Sequence, residues 1–229
     1  PYAAGSAFAL IQHTNDLNST SDQVAGGMGG LTAALVKSAT AFGAKIHTGA
    51  EVREVLTDHA DSTPVSCGVK LADGRFVRVR RVIANCTPYI LFHHLLPEPD
   101  LPAGFLKRMR NYKYSSGTMK INVALKGLPQ FTALSGRNEH SRFLNRPLHF
   151  CPSLDYAERA FHDGRIRGFA RKPVISMTLS SLMDKSLAPE GHHVADIMCQ
   201  HYRFTLPEGL DWETIVDEAA EEVFTTINE

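Results

Sequence analysis

Apolar and polar positions follow two rhythms along these 229 residues, and the switches between them mark the elements. Leu31, Ala34, Leu35, Ser38, Ala39 and Phe42 recur at helical spacing, and Gly43 falls where a helix would end. Lys45–His47 reads as a short strand, and Val52–Leu56 as another that reaches a turn-rich stretch over 58–64. From Val69 to Val79 apolar residues alternate around Asp73-Gly74, which predicts a hairpin because this dipeptide accepts the positive φ angles of a tight turn. Val82-Ile83-Ala84, closed by Thr87-Pro88, has the compact apolar character of a strand buried on both faces. Helix, then strands, with a hairpin between them predicts an α/β sheet carrying a small antiparallel addition.

The texture changes after Pro97-Glu98-Pro99. A helix is predicted over Leu101–Tyr112, and Ile121, Val123 and Leu125 alternate as in a half-buried strand. Val174–Ser181 and Val194–Phe204 are further strands, separated by the turn residues Pro189-Glu190-Gly191. Residues 130–147 and 151–172 are polar and irregular enough to read as loops or short helices. Trp212–Ile227 carries a helical stripe of Ile215, Val216, Ala219, Val223 and Ile227. The whole predicts two lobes with a boundary near 97–100, of α/β class with α+β character. Because the sequence opens at Pro1 and stops at Glu229 inside this last helical stripe, it reads as an excised piece of a longer protein.

Composition removes several classes of function. Twenty-four basic and 24 acidic side chains cancel, which gives no electrostatic reason to expect a nucleic-acid partner. Arg78-Val79-Arg80-Arg81 reads as the solvated face of a strand. No apolar run approaches the roughly 18 residues of a membrane-spanning helix. The four cysteines, Cys67, Cys86, Cys151 and Cys199, form no Cys-x-x-Cys pair and suit a reducing compartment. Although there are eleven histidines, adjacent pairs such as His93-His94 and His192-His193 point apart on strand or helix, so no metal is expected.

Candidate chemistry then narrows to two features. Gly26-Gly27-Met28-Gly29-Gly30 stands ahead of a helix, where bare backbone amides can meet a ligand. It is not a Gly-x-Gly-x-x-Gly fingerprint, since Thr32 occupies the place of the third glycine. The second feature is Lys120, which by strand parity faces away from Ile121, Val123 and Leu125. It reads either as an ordinary solvated lysine or as a cation at the edge of a cleft between lobes. Ser180-Ser181 lacks the Gly-x-Ser-x-Gly elbow of a hydrolase, and no Walker loop occurs.

The motifs, taken in order, carry a resemblance. Val24–Leu31, Gly43-Ala44-Lys45-Ile46, Val52-Arg53-Glu54-Val55, Gly68–Gly74 and Val82–Pro88 are followed by Thr118–Ala124, Pro173–Met177 and the run Ser180–Val194. Together with Gly5-Ser6-Ala7-Phe8 they resemble phytoene-desaturase-type flavoproteins of the FAD-dependent amine oxidase superfamily. The resemblance implies a substrate lobe over 1–25 and 98–229, and a partial FAD-binding lobe with its inserted hairpin over 26–97. It implies that Gly26, Gly27, Met28, Gly29 and Gly30 lie where the lobes meet, near the flavin. Val52 would meet the adenine ring, while Asn85, Thr87 and Pro88 would end the strand returning to the cofactor. Lys120 is similar in position to the lysine that amine oxidases hold by water near flavin N5.

What the resemblance implies for function is hydride transfer to FAD from an apolar or amine-bearing small molecule, in a mitochondrial protein. Relatives of this type carry a pyrophosphate-binding Gly-x-Gly-x-x-Gly unit and a second glycine-rich segment, neither of which occurs in this sequence. The chain by itself is therefore expected to bind FAD poorly or not at all and to be inactive. The alternative is a non-catalytic scaffold that forms a homodimer, or engages a protein partner, through exposed lobe surface.

Overall fold

The computed structural model describes residues 24–59, 64–112, 117–134 and 143–229. Residues 1–23 of the expected substrate lobe, most of the 58–64 turn and residues 135–142 lie outside the described residues. Two compact units emerge. One takes in the described residues up to Ala39 together with Gly117–Glu229, and the other the described residues between Thr40 and Tyr112.

Helix α1 spans Gly27–Ala41, so three of its glycines form the first turn rather than preceding it. After the helix, Gly43 at φ 87° donates its N–H to the Thr40 carbonyl. In the second unit β1 (Val52–Asp58), β2 (Val65–Leu71) and β3 (Phe76–Arg78) form an antiparallel sheet in that order. The expected Asp73-Gly74 turn joins β2 to β3. Gly74 sits at φ 87°, and the Asp73 carboxylate accepts the Arg75 N–H at 3.0 Å. Val55 and Leu71 are the buried apolar side chains of this sheet. Helix α2 (Ala103–Arg110) follows, with Phe105 edge-on to Phe92 at 4.7 Å.

Two strand expectations in this unit fail. Lys45–His47 forms no strand, and Ile46 is exposed. Val82-Ile83-Ala84 also forms none, and Ile83 is 97% exposed. A strand buried on both faces needs neighbours that take up its backbone hydrogen bonds, and the β1-β2-β3 sheet does not extend to it.

The first unit is built on a four-stranded antiparallel sheet. Its strands are β4 (Thr118–Leu125), β5 (Leu148–Phe150), β6 (Ile175–Thr178) and β7 (His193–Gln200), in the order β4-β7-β6-β5. Register follows the apolar alternation: Ile121 pairs with Ile197, Val123 with Ala195, Met119 with Cys199, and Met177 with Ile197. Helix α5 (Trp212–Asn228) lays Ile215, Ala219 and Val223 into the core with these residues, while Val216 turns outward from the predicted stripe. Burying Val223 completely is worth about 1.5–3 kcal/mol. Asp211 caps this helix by accepting the Glu213 N–H.

Residues 151–172 hold a 14-residue helix, α3 (Leu154–Arg167), where loops or short helices were expected. Its buried positions are Ala160 and Gly164, small residues that leave no apolar stripe to read. The caps were legible in principle: Ser153 accepts the Tyr156 N–H at 3.1 Å, and Gly168 closes the helix at φ 100°. Between β6 and β7 lies the short helix α4 (Ser180–Met183). The architecture is thus α+β, helices with two antiparallel sheets. Among the described residues no helix is long and apolar enough to cross a membrane, and no three His, Cys, Asp or Glu side chains gather as metal ligands.

Gly164 is where α3 crosses the chain beyond β7, and a Cβ there would collide with the His201 carbonyl oxygen. Gly164→Ala should therefore cost about 1–3 kcal/mol, read as a lower urea midpoint with an unchanged slope. An unshifted midpoint would show that the crossing can relax.

Candidate functional site

Lys120 and Asn122 lie on the face of β4 opposite Ile121 and Val123, as strand parity requires. On β7 the same parity turns Asp196 away from the buried Ala195 and Ile197. Because Asn122 pairs directly with Asp196, Lys120 is a diagonal neighbour of that carboxylate. The Lys120 Nζ stands 3.2 Å from Asp196 Oδ1, and the Ser180 hydroxyl donates to Asp196 Oδ2 at 2.5 Å. Both carboxylate oxygens are thus engaged, one by a cation and one by a nearly buried serine. The Lys120 side chain is 55% exposed, so the pair adds little to stability, on the order of 0–1 kcal/mol. What it does is bring the ammonium group to the Asp196 carboxylate on the outward face of β4 and β7.

Ser181, beside it on α4, serves the other face of β7. Its hydroxyl oxygen accepts the Val194 N–H at 3.0 Å and lies 3.1 Å from His193 Nδ1. The Asp196 carboxylate bonds Ser180 and Lys120, so Ser181 and His193 do not complete a Ser-His-Asp relay with it.

The glycine turn lies in the same unit. Gly26 and Gly27 adopt φ of 79° and 68°, and the Gly27 N–H closes the turn on the Val24 carbonyl at 2.8 Å. The Gly26 N–H donates to Asp184 Oδ2 at 2.6 Å. The other oxygen of Asp184 accepts from the Ser186 N–H at 2.9 Å and the Ser186 hydroxyl at 2.7 Å. These hydrogen bonds, those from Ser186 first and those from the Gly26 and Gly27 amides after them, hold the Asp184 carboxyl below the usual carboxylate range. Gly27 also approaches Leu187 closely, since a Cβ there would lie 3.2 Å from the leucine side chain. Met28 is 71% exposed, and α1 buries none of its side chains.

Val52, Asn85, Thr87 and Pro88 belong to the second unit. Val52 begins β1 opposite Leu71. Asn85 is exposed outside any element. Thr87 caps a helical turn by accepting the Ile90 N–H at 3.4 Å, with Pro88 at its first position. The expected catalytic and cofactor-binding residues thus divide between two units: Lys120 and the glycine turn in one, Val52, Asn85, Thr87 and Pro88 in the other. Nor does the turn offer a vacant anion cradle, because the Asp184 carboxylate already takes the Gly26 amide a phosphate would need.

The sequence offers no role for Asp196 or Asp184, and it sets Ser180, Ser181 and His193 aside as hydrolase or metal candidates without indicating the contacts that they make. Asp196 carried a signal, being an acidic residue inside an apolar strand, but its partner is set by register. The Asp184-Lys185-Ser186 turn could have been read as a local side-chain cap.

With this geometry in hand, comparison with known proteins is informative. A family model for flavin containing amine oxidoreductases matches residues 2–219. The chain belongs to this family. Pyridine nucleotide-disulfide oxidoreductase domain-containing protein 2 of Mus musculus is 33% identical over 99% of this chain and 40% of its own length. Its counterpart in Rattus norvegicus is 32% identical over 93% of this chain and 37% of its own length. The chloroplastic prolycopene isomerase of Arabidopsis thaliana is 26% identical over 82% of this chain and 27% of its own length. The chain therefore spans about two fifths or less of the length of these relatives.

The Asp184 contact predicts an acid transition local to the turn. A depressed folded-state value means that the contact contributes fully above the unfolded value of 3.8 and is lost as pH falls below it, through the folded value. The Gly26 amide resonance should move upfield with that titration, and in Asp184→Asn it should stay at one position. A wild-type Gly26 resonance that ignores acid would contradict the assignment of its acceptor.

Proposed function

We propose that the protein carrying this chain is an FAD-dependent oxidoreductase, with residues 1–25 and 98–229 forming its substrate lobe and 26–97 part of its FAD lobe. Family membership supports the flavin, whose chemistry when bound is to accept a hydride equivalent. The observation that carries the reading for this chain is the ammonium of Lys120 paired with Asp196, whose other carboxylate oxygen is engaged by Ser180. A cation held in this way orients a water or a polar substrate atom and keeps a proton available at Nζ. The substrate is an apolar or amine-bearing small molecule, and the cofactor pyrophosphate is bound by residues other than the Asp184-occupied turn. By its resemblance the protein is mitochondrial.

The full-length protein is expected to purify yellow, with flavin absorbance. A folded protein that stays colourless with added FAD would overturn the reading. Lys120→Met should keep the flavin content and slow reoxidation of the photoreduced protein by oxygen, or its reduction by substrate, by about a hundredfold. Unchanged rates in this variant would remove Lys120 from the site.

A further inference from the structure

A second concave site lies in the four-stranded unit, where β7 ends. His201 adopts φ 69°, the one left-handed non-glycine residue among those described. Such a backbone is unfavourable for an L-residue and persists only where its surroundings enforce it. Three contacts do so here. The Tyr202 N–H donates to the Gly117 carbonyl at 2.9 Å, the Arg203 N–H donates to the Gly168 carbonyl at 2.8 Å, and Gly164 lets α3 close on the His201 carbonyl.

The bend opens a cavity of about 390 Å³ lined by Gly117, Phe161, Arg165, His201, Tyr202 and Arg203, with Gly164 at its base. This volume is within the ordinary range for a small-molecule pocket. Its apolar wall is the Phe161 ring, which meets the His201 ring edge-on at 5.6 Å and lies beneath the Arg165 guanidinium at 5.7 Å. Arg203 Nη1 donates to the Arg165 carbonyl at 3.3 Å, which fixes the second guanidinium beside the last turn of α3. No carboxylate occurs among the described residues that line the cavity. Burial pushes the His201 pKa down, so at neutral pH the positive charge of the cavity belongs to the two arginines.

We propose that this cavity binds an aromatic carboxylate, its ring against Phe161 and its anionic group between Arg165 and Arg203. A planar guanidinium pairs with carboxylate through parallel hydrogen bonds, and an aromatic body suits the apolar wall. A simple amine of the same size would meet two like charges and is rejected. Lys120 is not among the described residues that line the site, and the proposal depends neither on flavin nor on the oxidoreductase reading.

The chain carries its own reporter. Trp212 is its single tryptophan, its indole N–H donates to the Arg203 carbonyl at 3.0 Å, and its ring lies 6.1 Å from Tyr202. Titration of the ¹⁵N-labelled chain with phenylacetate should shift the Trp212 indole resonance saturably, and benzylamine should not. The double variant Arg165→Gln/Arg203→Gln should weaken phenylacetate at least about tenfold. Arg165→Gln alone, at an exposed position of α3, should weaken it severalfold, and it keeps the test readable if the double variant does not fold. A flat titration would overturn the proposal. So would an equal response to benzylamine, or undiminished affinity in the Arg165→Gln variant.

Discussion

The pairing of β4 with β7 is the constraint on which the rest of the four-stranded unit depends. Eight consecutive residue pairs, from Thr118 with Gln200 to Leu125 with His193, fix which side chains face α5 and which face outward. A slip by one residue would turn Ile197 and Ala195 out of the core and bring Asp196 into it, an exchange of apolar burial for a charge without its partners. The same register sets Lys120 diagonal to Asp196. Core and candidate site are therefore two faces of one decision, and the energy that enforces it comes from the buried face. The ion pair itself is too exposed to enforce anything.

Much of this was legible where the pattern is local. The alternation of β4, the Asp73-Gly74 hairpin and the helical stripe of α5 each carry their signal within a few residues. Helix α3 was obscured because it packs through Ala160 and Gly164, and small residues bury without looking apolar. Val82-Ile83-Ala84 misled for the opposite reason: its composition suits a buried strand, yet strand formation depends on neighbours that composition does not report. Of the candidate site, Lys120 and its outward direction could be read. Its partners could not, because a side-chain pair across β4 and β7 depends on register over a separation of 76 positions, from 120 to 196.

The glycine turn changes meaning when its contacts are seen. Glycines before a helix invite a ligand reading, since they bare the amides of the first turn. Here one of those amides is answered by Asp184 from the α4 region, and Leu187 lies close against Gly27. The positive φ angles at Gly26 and Gly27 serve a contact within the unit, which ties α1 to the segment following β6. Flavoprotein membership of the family and an internally satisfied glycine turn are compatible, because a family fold need not place a phosphate at every glycine-rich helix start.

The buried Cys199 gives this architecture an internal clock. It pairs with Met119 on one side and Ile175 on the other, is fully screened from solvent, and burial pushes its thiol up to about 12. At neutral pH it is a thiol rather than a thiolate, and no reagent reaches it while β4, β7 and β6 remain zipped. Exposed Cys86 has no such shelter. Capture of the Cys199 sulfur by a thiol reagent is thus paced by transient separation of the central strands, so the chain records how often its own sheet comes apart.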